Sequence, residues 1–168
     1  MQSIAFKSSF LVFSYAVISS MTLFSSSSFA GFTNSWKGDA PPDAIGVGMW
    51  TYHLRNSSDF YTYNNYGAAV LYNSIFGVAF RNCFDEPAIA AGVQRTFYTK
   101  PLRRNFDLSM GYRLGLLSGY DNRFAKIADY TPILPIAQIV ADFTYKKAGL
   151  ELTYTGIIVS ARLIFRLP

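Results

Sequence analysis

The chain has 168 residues, of which 51% are hydrophobic, 17% aromatic and only 15% charged, and its formal net charge is +5. This composition is too apolar and aromatic for a disordered chain, and its charged fraction lies well below the roughly one quarter found in soluble domains. A single cysteine, Cys83, excludes an internal disulfide framework. Beyond residue 30, no apolar run approaches the roughly 18 residues that a membrane-spanning helix needs.

The first thirty residues have the pattern of a secretory signal. Lys7 is the only charged residue among them, and an apolar stretch at 10–18 leads into a Ser-rich stretch that ends at Ala30. This order predicts export and cleavage after Ala30, although an uncleaved membrane anchor is the alternative. Cleavage would leave 138 residues with a formal charge of +4. That basic excess suits contact with anionic lipid headgroups, but it is scattered along the sequence, whereas a nucleic-acid binder concentrates its basic residues.

Residues 31–46 predict an irregular lead-in, because Pro41 and Pro42 interrupt both helices and strand ladders. The remaining chain, 47–168, is dominated by a period of two, which is the side-chain period of a β-strand. The clearest run alternates the apolar residues Phe106, Leu108, Met110, Tyr112, Leu114 and Leu116 with Asp107, Ser109, Gly111, Arg113 and Gly115.

Similar alternation predicts eight strands in all. Turn signals separate most of them, whereas two strands meet near Gly156 without a strong breaker. The other predicted strands lie near 47–56, 66–72, 75–83, 89–97, 137–145, 150–155 and 157–166, with turns at Asn73-Ser74, 85–87, Lys100-Pro101, 119–122 and 146–149.

Two architectures fit many alternating strands, a soluble sandwich and a membrane barrel. A sandwich exposes charged side chains to water, but here the polar faces carry mainly Gly, Ala, Ser and Thr. Eight is also the smallest strand number of bacterial membrane barrels, whose strands turn apolar side chains to lipid and polar ones inward. The sequence therefore predicts an all-β, eight-stranded antiparallel transmembrane β-barrel in the bacterial outer membrane.

Small inward residues predict unfilled volume inside such a barrel. Gly92, Gly111 and Gly115 belong to this group. They either create a slot for an acyl chain or merely relieve crowding and bend the strands. The inward charges Arg113, Glu151 and Arg162 are interpreted as a paired structural network, since buried charges require partners.

From Met49 almost to the C-terminus the chain resembles the lipid A palmitoyltransferases, which are eight-stranded outer-membrane barrels. The matching segments are Thr51–Arg55, Val78–Cys83 with Glu86-Pro87, Asn105–Leu108 with Gly111, Gly115 and Asp121-Asn122, and Ile133–Ala137 with Leu152–Tyr154. The resemblance implies transfer of a palmitoyl or similar long acyl chain from a phospholipid to lipid A in lipopolysaccharide, by a monomer without a cofactor.

The resemblance also implies the site residues. His53 lies where the family has a required histidine, and Asn82-Cys83 replaces the family's Asp-Ser pair. His53 is then the candidate general base, since its ordinary pKa near 6.5 suits proton transfer, with Cys83 as nucleophile or polar partner and Asn82 as orienting group. Without the resemblance, His53 is a hydrogen-bonded wall residue and Cys83 a small buried hydrophobe.

Two further residues are implied to handle substrate. Gly92 matches the glycine at the floor of the family's acyl pocket, and Pro135 matches a proline that leaves neighbouring strands unpaired and opens a lateral route for lipid. One histidine and one cysteine are too few for a metal site. The alternative functions are a non-catalytic outer-membrane barrel that binds lipid or stabilises the envelope, and a soluble periplasmic lipid carrier.

Overall fold

The computed structural model describes residues 37–54 and 62–168, so the predicted signal and residues 31–36 of the predicted lead-in lie outside the described residues. Consecutive strands pair antiparallel and β8 pairs with β1, which closes the sheet into a barrel and confirms the predicted fold. No helix in the described ranges is both long and apolar enough to cross a membrane. The strands are β1 (Ala44–His53), β2 (Gly67–Tyr72), β3 (Ile75–Arg81), β4 (Pro87–Arg103), β5 (Phe106–Ser118), β6 (Ile133–Tyr145), β7 (Ala148–Tyr154) and β8 (Ile158–Arg166), and a short 3-10 helix, Lys126–Asp129, lies between β5 and β6.

Along most of β5, β7 and β8 the side chains follow the predicted alternation, with apolar residues outside and small or polar residues inside, whereas the upper interior holds a buried apolar cluster that includes Phe76, Phe80 and Leu117. In β5, Ser109 and Arg113 are only 6% and 3% exposed, whereas Leu116 on the outer face is 57% exposed. Leu108 and Leu152 also lie on the outer face and do not meet in a shared core. On these strands the arrangement inverts the pattern of a soluble sandwich, in which apolar side chains fill the interior.

Two boundaries differ from the prediction, and a third agrees with it. β1 begins at Ala44, so three residues of the predicted lead-in belong to the barrel. The predicted turn at Lys100-Pro101 is wrong, because β4 continues to Arg103 and turns only at residues 104–105. Pro101 is accommodated beside a register shift at the end of the hairpin, where a missing N–H disturbs the ladder least. The turn at Gly156 is confirmed, and its φ of +76° is a conformation that favours glycine.

The barrel has two different ends. At the lower end, which holds the first residue of β1 and the last of β8, short turns join β2 to β3, β4 to β5 and β6 to β7. At the upper end, the described chain leaves the sheet for longer stretches at 62–66, 82–86 and 119–132. The upper end therefore carries most of the irregular chain, and it is the end at which His53 finishes β1.

A network of buried charges crosses the middle of the barrel, as the inward pattern predicts. Glu151 Oε2 lies 2.8 Å from Arg113 Nη2, and Glu151 Oε1 lies 2.7 Å from Arg162 Nε. Arg113 Nε also donates to Gln94 Oε1 at 3.0 Å. One carboxylate thus joins β5, β7 and β8, and the amide of Gln94 adds β4.

Because this network is buried, we expect the loss of one of its charges to lower the free energy of unfolding much more than the loss of an exposed ion pair does. Glu151→Gln leaves two buried arginines without their counter-charge, so we expect the free energy of unfolding to fall by about 3–5 kcal/mol. Asp85→Asn, which breaks the exposed pair between Arg81 and Asp85, should cost less than about 1 kcal/mol. Urea unfolding in detergent micelles measures both, and equal effects of the two variants would contradict the structural role of Glu151.

Candidate functional site

The upper half of the barrel encloses a cavity, here called the upper cavity, of about 670 Å³ including its open mouth. His53 and Cys83 both line it, so the structure brings two of the predicted catalytic residues to one cavity. Its walls are mainly apolar and include Met49, Phe76, Val78, Phe80, Ala90, Leu117, Tyr120, Phe124 and Ile136.

Phe76 closes the upper cavity from below. Its backbone pairs with Gly92, which in turn pairs with Gly115. A Cβ atom added at Gly92 would lie 2.8 Å from Phe76 Cε1, and one added at Gly115 would lie 2.9 Å from Phe76 Cζ. The Phe76 ring therefore fits because both of these positions are glycine. The Arg113 guanidinium lies over the Phe76 ring, with Arg113 Cζ 4.6 Å from the ring centroid. Below it lies a second cavity, of about 450 Å³, lined by charged residues that include Arg113, Glu151 and Arg162.

The position of His53 is set by the last rung of the ladder between β1 and β8. Its Cα partner is Ile158, and the next residue, Leu54, donates its N–H to Ile157 O at 2.9 Å. The side chain points inward and is 8% exposed. His53 therefore stands at the upper end of the cavity, held by regular strand structure.

Asn82 lies in the loop between β3 and β4 and is fully buried. Its Oδ1 accepts hydrogen bonds from Phe84 N–H at 2.8 Å and Glu86 N–H at 3.0 Å, and its Nδ2 donates to Gly119 O at 2.6 Å. The amide thus ties the β3–β4 loop to the start of the β5–β6 loop. Asn82 is absent from the lining of the upper cavity, so its side chain acts here as a loop clamp rather than as a group facing substrate.

Cys83 follows Asn82 and is 3% exposed, with its side chain in the wall of the upper cavity. Burial raises the pKa of its thiol to about 11, so the neutral thiol is the form present near neutral pH. Near Cys83, aromatic rings form a cluster around Tyr120, whose pKa is also raised by burial. The centroid of Tyr120 lies 4.4 Å from that of Phe124 and 6.4 Å from those of Phe80 and Phe84.

The two predicted substrate residues occupy different surroundings. Gly92 does not line the upper cavity, because the ring of Phe76 covers it. Pro135 lies on the outer face of β6 opposite Leu116 of β5. The β6–β7 ladder begins only at Ile139, so among the described residues the segment 133–138 has no partner on β7.

The wall has this gap on one side only within the described chain. Above the four-pair β1–β2 ladder, Asn65 N–H donates to Met49 O at 2.7 Å and Thr51 N–H donates to Tyr63 O at 2.9 Å. These bonds keep upper β1 attached to the segment before β2. Among the described residues, the missing strand pairing therefore lies on the side of Pro135, between upper β6 and the turn at 155–157.

Several lining residues have no distinguishing signal in the sequence. Thr51 donates its hydroxyl to Asn65 Oδ1, and both line the upper cavity beside His53. Phe76 has the apolar character expected of any strand residue, and Tyr120 lies in a predicted turn. Only the register between strands reveals that these side chains share the cavity. Arg55, part of the segment that resembles the palmitoyltransferases, lies outside the described residues.

No family model matches this chain, and no curated protein is significantly similar to it.

The hydrogen bonds of Asn82 predict that an aspartate is a poor replacement. A carboxylate can accept from Phe84 and Glu86 but cannot donate to Gly119 O, which it would instead repel. We expect Asn82→Asp to lower the free energy of unfolding by about 1–3 kcal/mol. The matched control is Asn122→Asp at an exposed position of the next loop, and urea unfolding should show almost no change for it. Equal stability of the two variants would contradict the loop clamp.

The raised pKa of Cys83 predicts slow alkylation in the folded barrel. With a thiol pKa of about 11, roughly one molecule in ten thousand carries the thiolate at pH 7. The alkylation rate, followed by mass spectrometry with iodoacetamide, should rise about tenfold for each pH unit between 7 and 10. The urea-unfolded chain is the control, and its alkylation rate should level off above the ordinary thiol pKa of about 8.5. A folded-state rate that also levels off below pH 9 would show an ordinary or activated thiol.

Proposed function

We propose that this protein is an outer-membrane acyltransferase that moves a palmitoyl or similar long acyl chain from a phospholipid to lipid A. The observation that carries the proposal is the upper cavity, whose apolar walls end at Phe76 and whose upper end holds His53. An apolar outer face around a closed barrel supports a location in lipid. The predicted secretory signal supports export to the outer membrane.

The interior itself supports an apolar ligand. The lower cavity is lined by paired charges, whereas one side of the upper cavity is lined by apolar side chains such as Phe76, Phe80 and Leu117. An apolar group gains free energy by leaving water for such a surface. An acyl chain that enters beside Pro135, where β6 lacks its β7 partner, reaches the upper cavity without passing the charged layer.

The chemistry that fits these residues is direct transfer with one general base. The acceptor hydroxyl of lipid A attacks the ester carbonyl of the phospholipid while His53 takes its proton. The bond from the carbonyl carbon to the glycerol oxygen then breaks, and His53 returns the proton to that oxygen, which leaves as a lysophospholipid. Cys83 serves as a polar wall residue in this scheme, because a thiol with a pKa of about 11 is a weak nucleophile near neutral pH.

One observation favours a second candidate, a barrel that binds an acyl chain without transferring it. Asn82, at the position where the similar family has aspartate, is fully engaged with backbone groups. It therefore supplies no ionisable group to the cavity. In this case the purified barrel would retain phospholipid or fatty acid but would not change lipid A.

The decisive measurement is the mass of lipid A from a host that lacks its own lipid A acyltransferase. Expression of the wild-type chain should add one long acyl chain. His53→Ala and His53→Gln should lower the yield by about 10²–10⁴-fold, which is the usual contribution of a general base. Cys83→Ser is the matched variant at the same cavity and should keep the activity within a few-fold.

The outcomes separate the two candidates. No added mass from a folded wild-type barrel would reject the acyltransferase, and bound lipid in the same preparation would then support the acyl-binding barrel. Loss of transfer in Cys83→Ser, with transfer retained in His53→Gln, would replace the general-base scheme by a covalent one.

A further inference from the structure

Basic residues that are scattered along the sequence are brought together at the lower end of the barrel. The two turns that carry most of them are neighbours, because Phe106 of β5 pairs with Tyr145 of β6 and Lys146 N–H donates to Asn105 O at 2.8 Å. We call these five exposed residues the basic patch, namely Lys100, Arg103, Arg104, Lys146 and Lys147.

The opposite end of the barrel differs in charge. At the upper rim, Arg81 pairs with Asp85, and Arg123 pairs with both Glu86 and Asp121. In the part of the chain that the structure describes, no ion pair joins any member of the basic patch to a carboxylate. Arg81 and Arg123 of the upper rim are thus neutralised within the protein, whereas the cations of the patch are left to an external anion.

The carboxylates of the lower end do not neutralise the patch. Asp107 faces Arg166, with 3.6 Å between Oδ2 and Nη1. Asp43 Oδ1 accepts a hydrogen bond from Asn73 N–H at 2.8 Å, beside the β2–β3 turn. Asp39 is bridged through its backbone to Thr96, further up β4 than Lys100. The patch therefore keeps a local excess of positive charge.

Exposed aromatic residues border the basic patch on the outer face. Tyr98 and Tyr145 are 44% and 55% exposed, and Lys146 Nζ lies 5.5 Å from the centroid of Tyr145. Aromatic rings of this kind mark the interface between hydrocarbon and headgroups in membrane proteins. A lysine directly beyond such a ring lies at the depth of the lipid phosphates. The short turns of bacterial barrels face the periplasm, which places this end in the phospholipid leaflet.

We propose that the basic patch binds the phosphate groups of anionic phospholipids and anchors the lower end of the barrel in the leaflet that contains them. Each lysine or arginine near such a surface adds attraction that falls off within a Debye length. The inference rests on the proposed membrane location, and it is independent of acyl transfer. It assigns to residues far from the upper cavity a preference for one class of lipid.

Native mass spectrometry of the folded barrel, released from mixed micelles, tests the preference. The micelles contain equal amounts of phosphatidylglycerol and phosphatidylcholine with identical acyl chains, so that any contribution of the upper cavity is the same for both. Wild-type protein should retain phosphatidylglycerol several-fold more often, and the ratio should fall towards one as the salt concentration rises.

Two matched double variants locate the effect. Lys146→Gln with Lys147→Gln should lower the retention ratio several-fold, whereas Arg81→Gln with Lys126→Gln at the upper rim should leave it unchanged. Adding Arg103→Gln and Arg104→Gln to the first pair should bring the ratio close to one. Heat-dependent mobility on gels confirms that each variant is folded before its lipids are counted.

The outcomes distinguish this inference from the function proposed above. Equal retention of the two lipids by the wild type, or a preference that survives the quadruple substitution, would overturn the lipid anchor and leave the acyltransferase untouched. Displacement of phosphatidylglycerol by inorganic phosphate, but not by chloride at the same ionic strength, would show a free-phosphate site instead. A barrel that never inserts into lipid would reject the membrane location and, with it, the anchor.

Discussion

One carboxylate held between two arginines organises the interior of this barrel. Glu151 on β7 contacts Arg162 on the neighbouring strand β8 and Arg113 on β5, one strand beyond β6, and all three side chains are almost completely buried. Buried charges are stable only when they are paired and hydrogen-bonded. The layer that satisfies them fills the lumen at mid-height, and the Arg113 guanidinium holds the ring of Phe76 on its upper side. Phe76 thus separates this charged layer from the upper cavity.

The division of the lumen bears more directly on the proposed function than the outer surface does. Apolar residues on the outside are required of any barrel that faces lipid, and a lower lumen of paired charges is compatible with a purely structural role. An upper lumen of apolar side chains around open space contributes nothing to such a role, since close packing would stabilise the barrel more. Phe76, Phe80 and Leu117 leave that space open directly below His53. The cavity, rather than the fold, is therefore the feature that argues for an acyl ligand.

The period-two pattern was sufficient to predict the fold, because side chains of a strand alternate whatever their partners are. It predicted the inward face of β5 and the turn at Gly156, but it misplaced the turn at Pro101, since a proline can also lie at a bulge near a hairpin end. The period-two pattern could not predict contacts that depend on the register between strands. The resemblance implied that Gly92 is the floor of an acyl pocket, but the ring of Phe76 from the neighbouring strand lies over Gly92. Arg113 and Glu151 were both predicted to be inward, but nothing in two residues 38 positions apart shows that they meet.

The same limit applies to Asn82 and Cys83, where residue type alone left several roles open. An amide can donate and accept at once, and Asn82 uses both abilities to join two loops through Gly119 and Glu86. A carboxylate in that place would need different backbone geometry, so the asparagine and the loops are matched to each other. Cys83 is then carried into the wall of the cavity as a buried, neutral thiol. If the rim performs acyl transfer, the proton transfer must therefore fall to His53, and the rest of the site must act by holding the chain and excluding water.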